Sequence, residues 1–280
     1  MSLDFTSCKY KEIIDAISKS DYEVLTIGEY ISRSPKPEKF IIIRHDVDLD
    51  SQYQLKFAKY EASVGIKTTY YFRYVPEIFD REIISKVHTL GHEVGYHYEV
   101  LTKTKGDISS AMMLFNEELS DFKKSWNTQT ICPHGGSFVE GEEGYTLKGI
   151  IKLIPKLIKG KKVFSSWSSF DIWDKYNFED YGIRGDAYYS IDFENILYLS
   201  DTGRSWDKRF KRLDNVNSKI NPQFNIKNSN QIIELIKSNS VKGIYLLVHN
   251  EQWKSNLKDW FFWYVAQIIR RTGKKIIFGY

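Results

Sequence analysis

From residue 41 to residue 134 the chain alternates short apolar runs with amphipathic stretches of helical period, which confines it to a small group of α/β folds. Ile41-Ile42-Ile43 opens the first strand. Tyr53, Phe57, Tyr60 and Val64 recur at helical spacing up to Gly65, and Thr68-Thr69-Tyr70-Tyr71-Phe72 reads as the next strand. A second helix, opened by Pro76, carries Ile83, Ile84, Val87 and Leu90 before Gly91. The series is completed by a short strand around Val94, a helix started by Asp107 with Met112, Phe115, Leu119 and Phe122 on one side, and the strand Thr130-Ile131-Cys132. This order predicts a parallel sheet whose polar groups gather at the carboxyl ends of its strands.

The first strand shows such an end, because its apolar run stops abruptly in Arg44-His45-Asp46-Val47-Asp48. Alternation along an extended chain sends Asp46 and Asp48 to one face and His45 and Val47 to the other. Two carboxylates on one face repel unless a cation or a shared proton lies between them. Three more strand ends carry similar groups: Gly91-His92-Glu93-Val94-Gly95-Tyr96-His97-Tyr98-Glu99, Cys132-Pro133-His134-Gly135-Gly136, and Leu246-Leu247-Val248-His249. Carboxylates and imidazoles gathered on one rim are the components of metal-assisted hydrolysis.

Between Gly135 and Asp180 the pattern blurs into an elaborated loop region with a short helix near Ile150 to Ile158. Strand pairs are expected from Tyr188 to Leu199, and a helix near Gln231 to Lys237 with Asn228 or Ser229 as its cap. The strand Gly243 to Val248, a long helix after Trp253 and a final strand from Lys275 to Phe278 follow. With 280 residues, 42% of them hydrophobic, and no linker, residues 1–280 read as one domain. The +4 net charge is spread along the chain, which argues against a nucleic-acid partner; the basic run Lys152 to Lys162 reads as solvated surface. Cys8 and Cys132 are too few for a disulfide framework. No stretch has the ~18 consecutive apolar residues of a membrane span. Met1-Ser2-Leu3-Asp4-Phe5 lacks the basic and apolar order of a secretory signal, so the expected location is cytoplasmic.

On these motifs the chain resembles the polysaccharide deacetylases of carbohydrate esterase family 4, particularly divergent members encoded with bacterial O-antigen and capsule genes. The resemblance implies a distorted (β/α) barrel, seven-stranded, acting on a sugar or polysaccharide precursor. It implies that Asp46 is the catalytic base and Asp48 a metal ligand, although the family usually has these two residues adjacent and here Val47 separates them. Similarity of the Gly91–His97 segment to the second family motif makes His97 a ligand, and the Leu-x-x-His ending at His249 makes His249 the general acid. The segments Tyr198-Leu199-Ser200-Asp201-Thr202-Gly203-Arg204-Ser205-Trp206-Asp207 and His249-Asn250-Glu251-Gln252-Trp253 suggest the divergent branch.

The chain also departs from the family pattern. Leu101 stands where the second motif usually has another ligating histidine, and leucine cannot ligate. His134 is the preferred substitute, with Glu99 as the alternative and His45 as a third possibility. The arginine of the third motif is missing beside Pro133-His134, which leaves Arg44 or Arg204 to supply the positive charge and Asp201 or Asp207 to orient it. Arg204 is assigned a catalytic role, and Asp201, Trp206 and Trp253 substrate contacts, against the ordinary alternative that such tryptophans pack a core. Cys132 near His134 imitates a nucleophile and base, but a buried thiol is commonly inert. The implied cofactor is a divalent metal, zinc, and the implied reaction is hydrolysis of a C–N amide bond, as N-deacetylation of an acetamido sugar in surface polysaccharide biosynthesis. The competing class is a non-catalytic carbohydrate-binding relative with a degenerate metal site. Leu101 favours that class, whereas Asp46, Asp48, His97 and His249 together favour the hydrolase.

Overall fold

A computed structural model describes residues 3–135, 172–206 and 216–278, with residues 269–278 described by backbone alone. Among them are the strands β1 (Glu23–Leu25), β2 (Phe40–Val47), β3 (Thr69–Phe72), β4 (Glu93–Tyr98), β5 (Thr130–Pro133), β6 (Gly185–Asp186), β7 (Ile196–Ser200) and β8 (Gly243–Val248). Seven of them form one parallel path, β6-β5-β4-β3-β2-β8-β7, which curls into a half-barrel. The eighth, β1, lies outside the sequence-predicted series and pairs with Phe40–Ile42 of β2. Since β8 holds one edge of β2 from Phe40 to His45, β1 and β3 share the other edge end to end.

The helices are α1 (Ser7–Ser18), α2 (Ile27–Ser32), α3 (Ser51–Ser63), α4 (Arg81–Thr89), α5 (Val100–Lys103), α6 (Ile108–Trp126), α7 (Ser229–Ser238) and α8 (Leu257–Phe278). Side chains of Asp50, Asp107 and Asn228 cap α3, α6 and α7 by accepting first-turn N–H groups. The same chemistry at Asp80, not Pro76, starts α4.

Strand alternation divides the core. Phe40 and Ile42 face the interior of the half-barrel with Tyr71, Cys132, Tyr198, Tyr245 and Leu247. Ile41 and Ile43 face outward, where α1, α3 and α7 pack, and Val47 joins the cluster under α4 and α6. Ile41, Ile42 and Ile43 are fully buried, worth about 1.5–3 kcal/mol each. A one-residue slip of β2 would send Arg44 and Asp46 into the helix-facing core, so register and site are fixed together. Gly95 on β4 is sterically required: a Cβ there would lie 2.2 Å from the Tyr71 ring that crosses the interior.

Two local expectations are corrected. Lys275 to Phe278 are the end of α8, not a strand, because an established helix extends over residues whose local preference is extended. From Tyr188 to Leu199 only the β7 portion is strand, since the Asp186 side chain accepts the N–H groups of Tyr188 and Tyr189 and turns the chain. The helix expected near Ile150 to Ile158, the Lys152 to Lys162 run and Asp207 lie outside the described residues.

Candidate metal centre

The inward parity of β2 carries past Arg44 to Asp46 and, beyond the strand, to Asp48. Neighbouring strands bring their ends to the same rim: His97 from β4, His134 just after β5, and His249 just after β8. His97 Nε2 lies 3.4 Å from Asp48 Oδ1, and His134 Nε2 lies 3.6 Å from that oxygen. These three side chains form one candidate ligand set; Asp46, His97 and Cys132 form another.

The first set fits a divalent ion better. Zinc–nitrogen bonds of about 2.0–2.1 Å at tetrahedral angles separate ligand atoms by roughly 3.3–3.4 Å, close to the spacings at Asp48. Asp48 Oδ1 is buried and, beyond the ionic contacts with these two imidazoles, has no hydrogen-bond partner among the described residues, as an acceptor facing an ion would. His97 Nδ1 lies 3.0 Å from the Cys132 carbonyl, so its N–H donates there and Nε2 is left to face Asp48. His134 Nδ1 faces Glu99 Oε2 at 3.4 Å in the same sense. Burial and the nearby Arg73 charge outweigh the carboxylates around His134 and lower its pKa, favouring the neutral imidazole that ligates. In the second set, Asp46 is already engaged by Arg44, and burial pushes the Cys132 thiol well up, which keeps it protonated and a poor nucleophile.

Arg44 is the inward arginine of this site. Its Nε and Nη2 donate to Asp46 Oδ1 and Oδ2 at 2.7 and 2.5 Å. Burial raises the Asp46 pKa, but Arg44 and His97 outweigh it and hold the carboxyl below its ordinary range. Burial acts likewise on Asp48, and His134, His97 and His249 take it well below. On the other side of Asp48, His249 Nε2 lies 3.9 Å from Oδ2. Its Nδ1 lies 2.7 Å from Asp201 Oδ1, while Asp201 Oδ2 accepts from Trp253 Nε1 at 2.7 Å. Burial alone would lower the His249 pKa; Asp201 and then Asp48 reverse that and raise it well above the ordinary value. The Asp48 and His249 side chains are each 13% exposed, against 5% for Asp46 and 2% for His97, so this group is most accessible on its Asp48–His249 side.

Several assignments move. Arg204 points away from this group: its Nη1 donates to the Trp260 carbonyl and its guanidinium lies over Phe5 and Trp260. Trp206 and Trp253 are fully buried in the helix-side core, so neither presents a ring to a sugar, and Asp201 is equally buried and orients His249 instead of touching a ligand. Leu101 packs in the core beneath α6. Glu99 binds Arg73 and His134 from behind. His45 faces outward, between Asn250 Oδ1 at 2.6 Å and Glu61 Oε1 at 2.9 Å, with its ring stacked on Tyr70, and cannot reach the ion site.

Arg73 is a neighbour of the candidate ligands missing from the sequence reading. It reaches Glu99 and donates to the Asp48 carbonyl at 2.9 Å, and as a charge directly after the buried β3 it gave the same signal as Arg44. Glu251 is another neighbour of the group: burial pushes its carboxyl up to about 8 despite His249 beside it. A cavity of about 310 Å³ lined by Thr26, His88, Glu93, Trp126 and Arg184 lies at the opposite, amino-terminal end of the strands. No helix among the described residues is long and apolar enough to cross a membrane. Comparison of the chain with family models, with curated proteins and with solved structures finds no match in any of the three.

Proposed function

We propose that the chain is a metal-dependent hydrolase of a C–N amide bond, related to the polysaccharide deacetylases its motifs resemble, and that it removes the acetyl group of an acetamido sugar in bacterial surface polysaccharide biosynthesis. The observation that carries this reading is the buried Asp48 Oδ1, without a hydrogen-bond partner among the described residues and flanked by the Nε2 atoms of His97 and His134. Asp48, His97 and His134 would hold the ion, whose Lewis acidity, when it is bound, polarises an acyl oxygen and lowers the pKa of water.

The remaining roles belong to the flanking pairs. Asp46, kept ionised by Arg44, accepts the proton of the attacking water. A carboxylate held this low is a weak base, which is why the reading needs acidified water. His249, kept protonated by Asp201, donates to the departing nitrogen as the C–N bond breaks, so water ends as hydroxyl on the acetate and hydrogen on the amine. His97 and Arg44 fix Asp46 from two sides and limit it to one orientation. The binding-only alternative has less support, since His134 stands close enough to Asp48 and His97 to make a third ligand in spite of Leu101 and the two tryptophans offer no exposed platform.

The test is acetate release from N-acetylglucosamine oligomers and nucleotide-linked acetamido sugars by the zinc-loaded protein. Asp46→Asn and His249→Gln should each lose at least about a hundredfold in rate, the scale of one acid–base group. Zinc that fails to bind, or release unchanged in both variants, would sink the proposal.

A further inference from the structure

Helix α8 leaves the half-barrel with one side uncovered. Leu257, Phe261, Tyr264 and Ile268 recur at helical spacing and are 69, 62, 47 and 44% exposed. Phe262, about 100° further round the helix, is also exposed. The helix is nevertheless fastened. Trp260 Nε1 donates to the Asp4 carbonyl at 2.7 Å, the Trp260 carbonyl accepts from Arg204, and Ala266 and the buried Gln267 face Gln252 and the core. A single exposed residue such as Met113 is ordinary, but a stripe sustained over three turns of a docked helix marks a binding face.

The occupant follows from charge and residue type. After Asp259 the sequence contains no acidic residue, while the same helix carries Arg270, Arg271, Lys274 and Lys275. Tyr264, exposed on the stripe, is of a type that settles at the headgroup level of a bilayer. A second copy meeting the stripe would bring two such basic segments together with Asp259 as the one acid on each α8 to answer these four cations. Anionic headgroups answer them. We propose that α8 lies in the surface of a bilayer containing anionic lipid, with the Leu257–Ile268 stripe in the interface and without crossing the membrane. This inference is independent of the metal centre.

Flotation of the full chain with vesicles of phosphatidylcholine, alone or mixed with phosphatidylglycerol, tests it. The protein should rise with the mixed vesicles and bind less at high salt. The double variant Phe261→Ser/Ile268→Ser should partition about tenfold less, and Met113→Ser should match the wild type. Failure to rise with either vesicle, or equal binding by the double variant, overturns the proposal. A concentration-dependent dimer in sedimentation equilibrium that the double variant abolishes would assign the stripe to a second copy and overturn it as well.

Discussion

Replacing Asp201 by Asn isolates the electrostatics at His249. Asp201 Oδ1 faces His249 Nδ1 at 2.7 Å, and Oδ2 accepts from Trp253 Nε1 at 2.7 Å and from the His249 backbone N–H at 2.9 Å. An asparagine must turn its amide nitrogen toward one of these groups. Facing Trp253 it would oppose two N–H donors, so the amide settles toward His249 Nδ1, which can answer only as a neutral acceptor. The loss of one charge-assisted hydrogen bond costs about 1.5–3 kcal/mol. The wild-type His249 pKa is raised, so its contribution is fully present below the ordinary imidazole value near 6.5 and is lost as pH climbs through the folded value. In Asp201→Asn the largest influence that raises the His249 pKa is gone, and the pKa falls. The stability gap between the two proteins should therefore be widest in acid and shrink toward alkaline pH. Urea denaturation across pH, with NMR titration of labelled imidazoles in metal-depleted protein, checks both. A His249 pKa that stays put or rises in Asp201→Asn, or a gap that widens with pH, would refute the reasoning.

Three other outcomes follow from the same geometry. Zinc at a hundredfold excess over its dissociation constant should stabilise the protein by about 2.7 kcal/mol in thermal melts, and Asp48→Asn or His134→Ala should remove most of that gain. Arg44→Met should cost about 3–5 kcal/mol in chemical denaturation by leaving Asp46 buried without its partner, with much of the loss recovered in Arg44→Met/Asp46→Asn. Burial raises the Glu61 pKa, but His45 and then His92 and Tyr10 bring it down from 4.5 to about 2, so it contributes about 3 kcal/mol that is present above pH 4.5 and lost as pH falls through about 2. Glu61→Gln should flatten that acid limb of the stability curve.

The inward set was legible because strand parity and the polar ending of β2 are both local. Asp46, Asp48, His97, His134 and His249 meet at one rim for the reason the sequence suggests: parallel strands end together. The same parity argument excludes His45, since a residue between the inward Arg44 and the inward Asp46 must face outward. Trp206 and Trp253 were misplaced because nearness in sequence to a motif says nothing about which side of the sheet a ring occupies. The links Arg73–Glu99–His134 depend on the register of β3, β4 and β5, which no single segment encodes. Helix α1 is different: Tyr10, Ile13, Ile14 and Ile17 have the helical period and Thr6 caps it, so the signal stood in the chain outside the alternating series.

The outward half of the β2 end completes the site by another route. His45 binds Asn250 on one ring nitrogen and Glu61 on the other, and Asn250 directly follows His249. The strand that presents Asp46 and Asp48 is thus tied, through its opposite face, to the turn that presents His249. Tyr10 and Tyr70 donate to Glu61, and Thr68 links it to His92, so the tie is anchored in α3 and β3 as well. Buried charge of this kind gains little net stability over a well-packed apolar core, yet it penalises every arrangement in which a partner is missing. Here that penalty fixes the strand that carries Asp46 and Asp48 and the turn that carries His249 relative to each other.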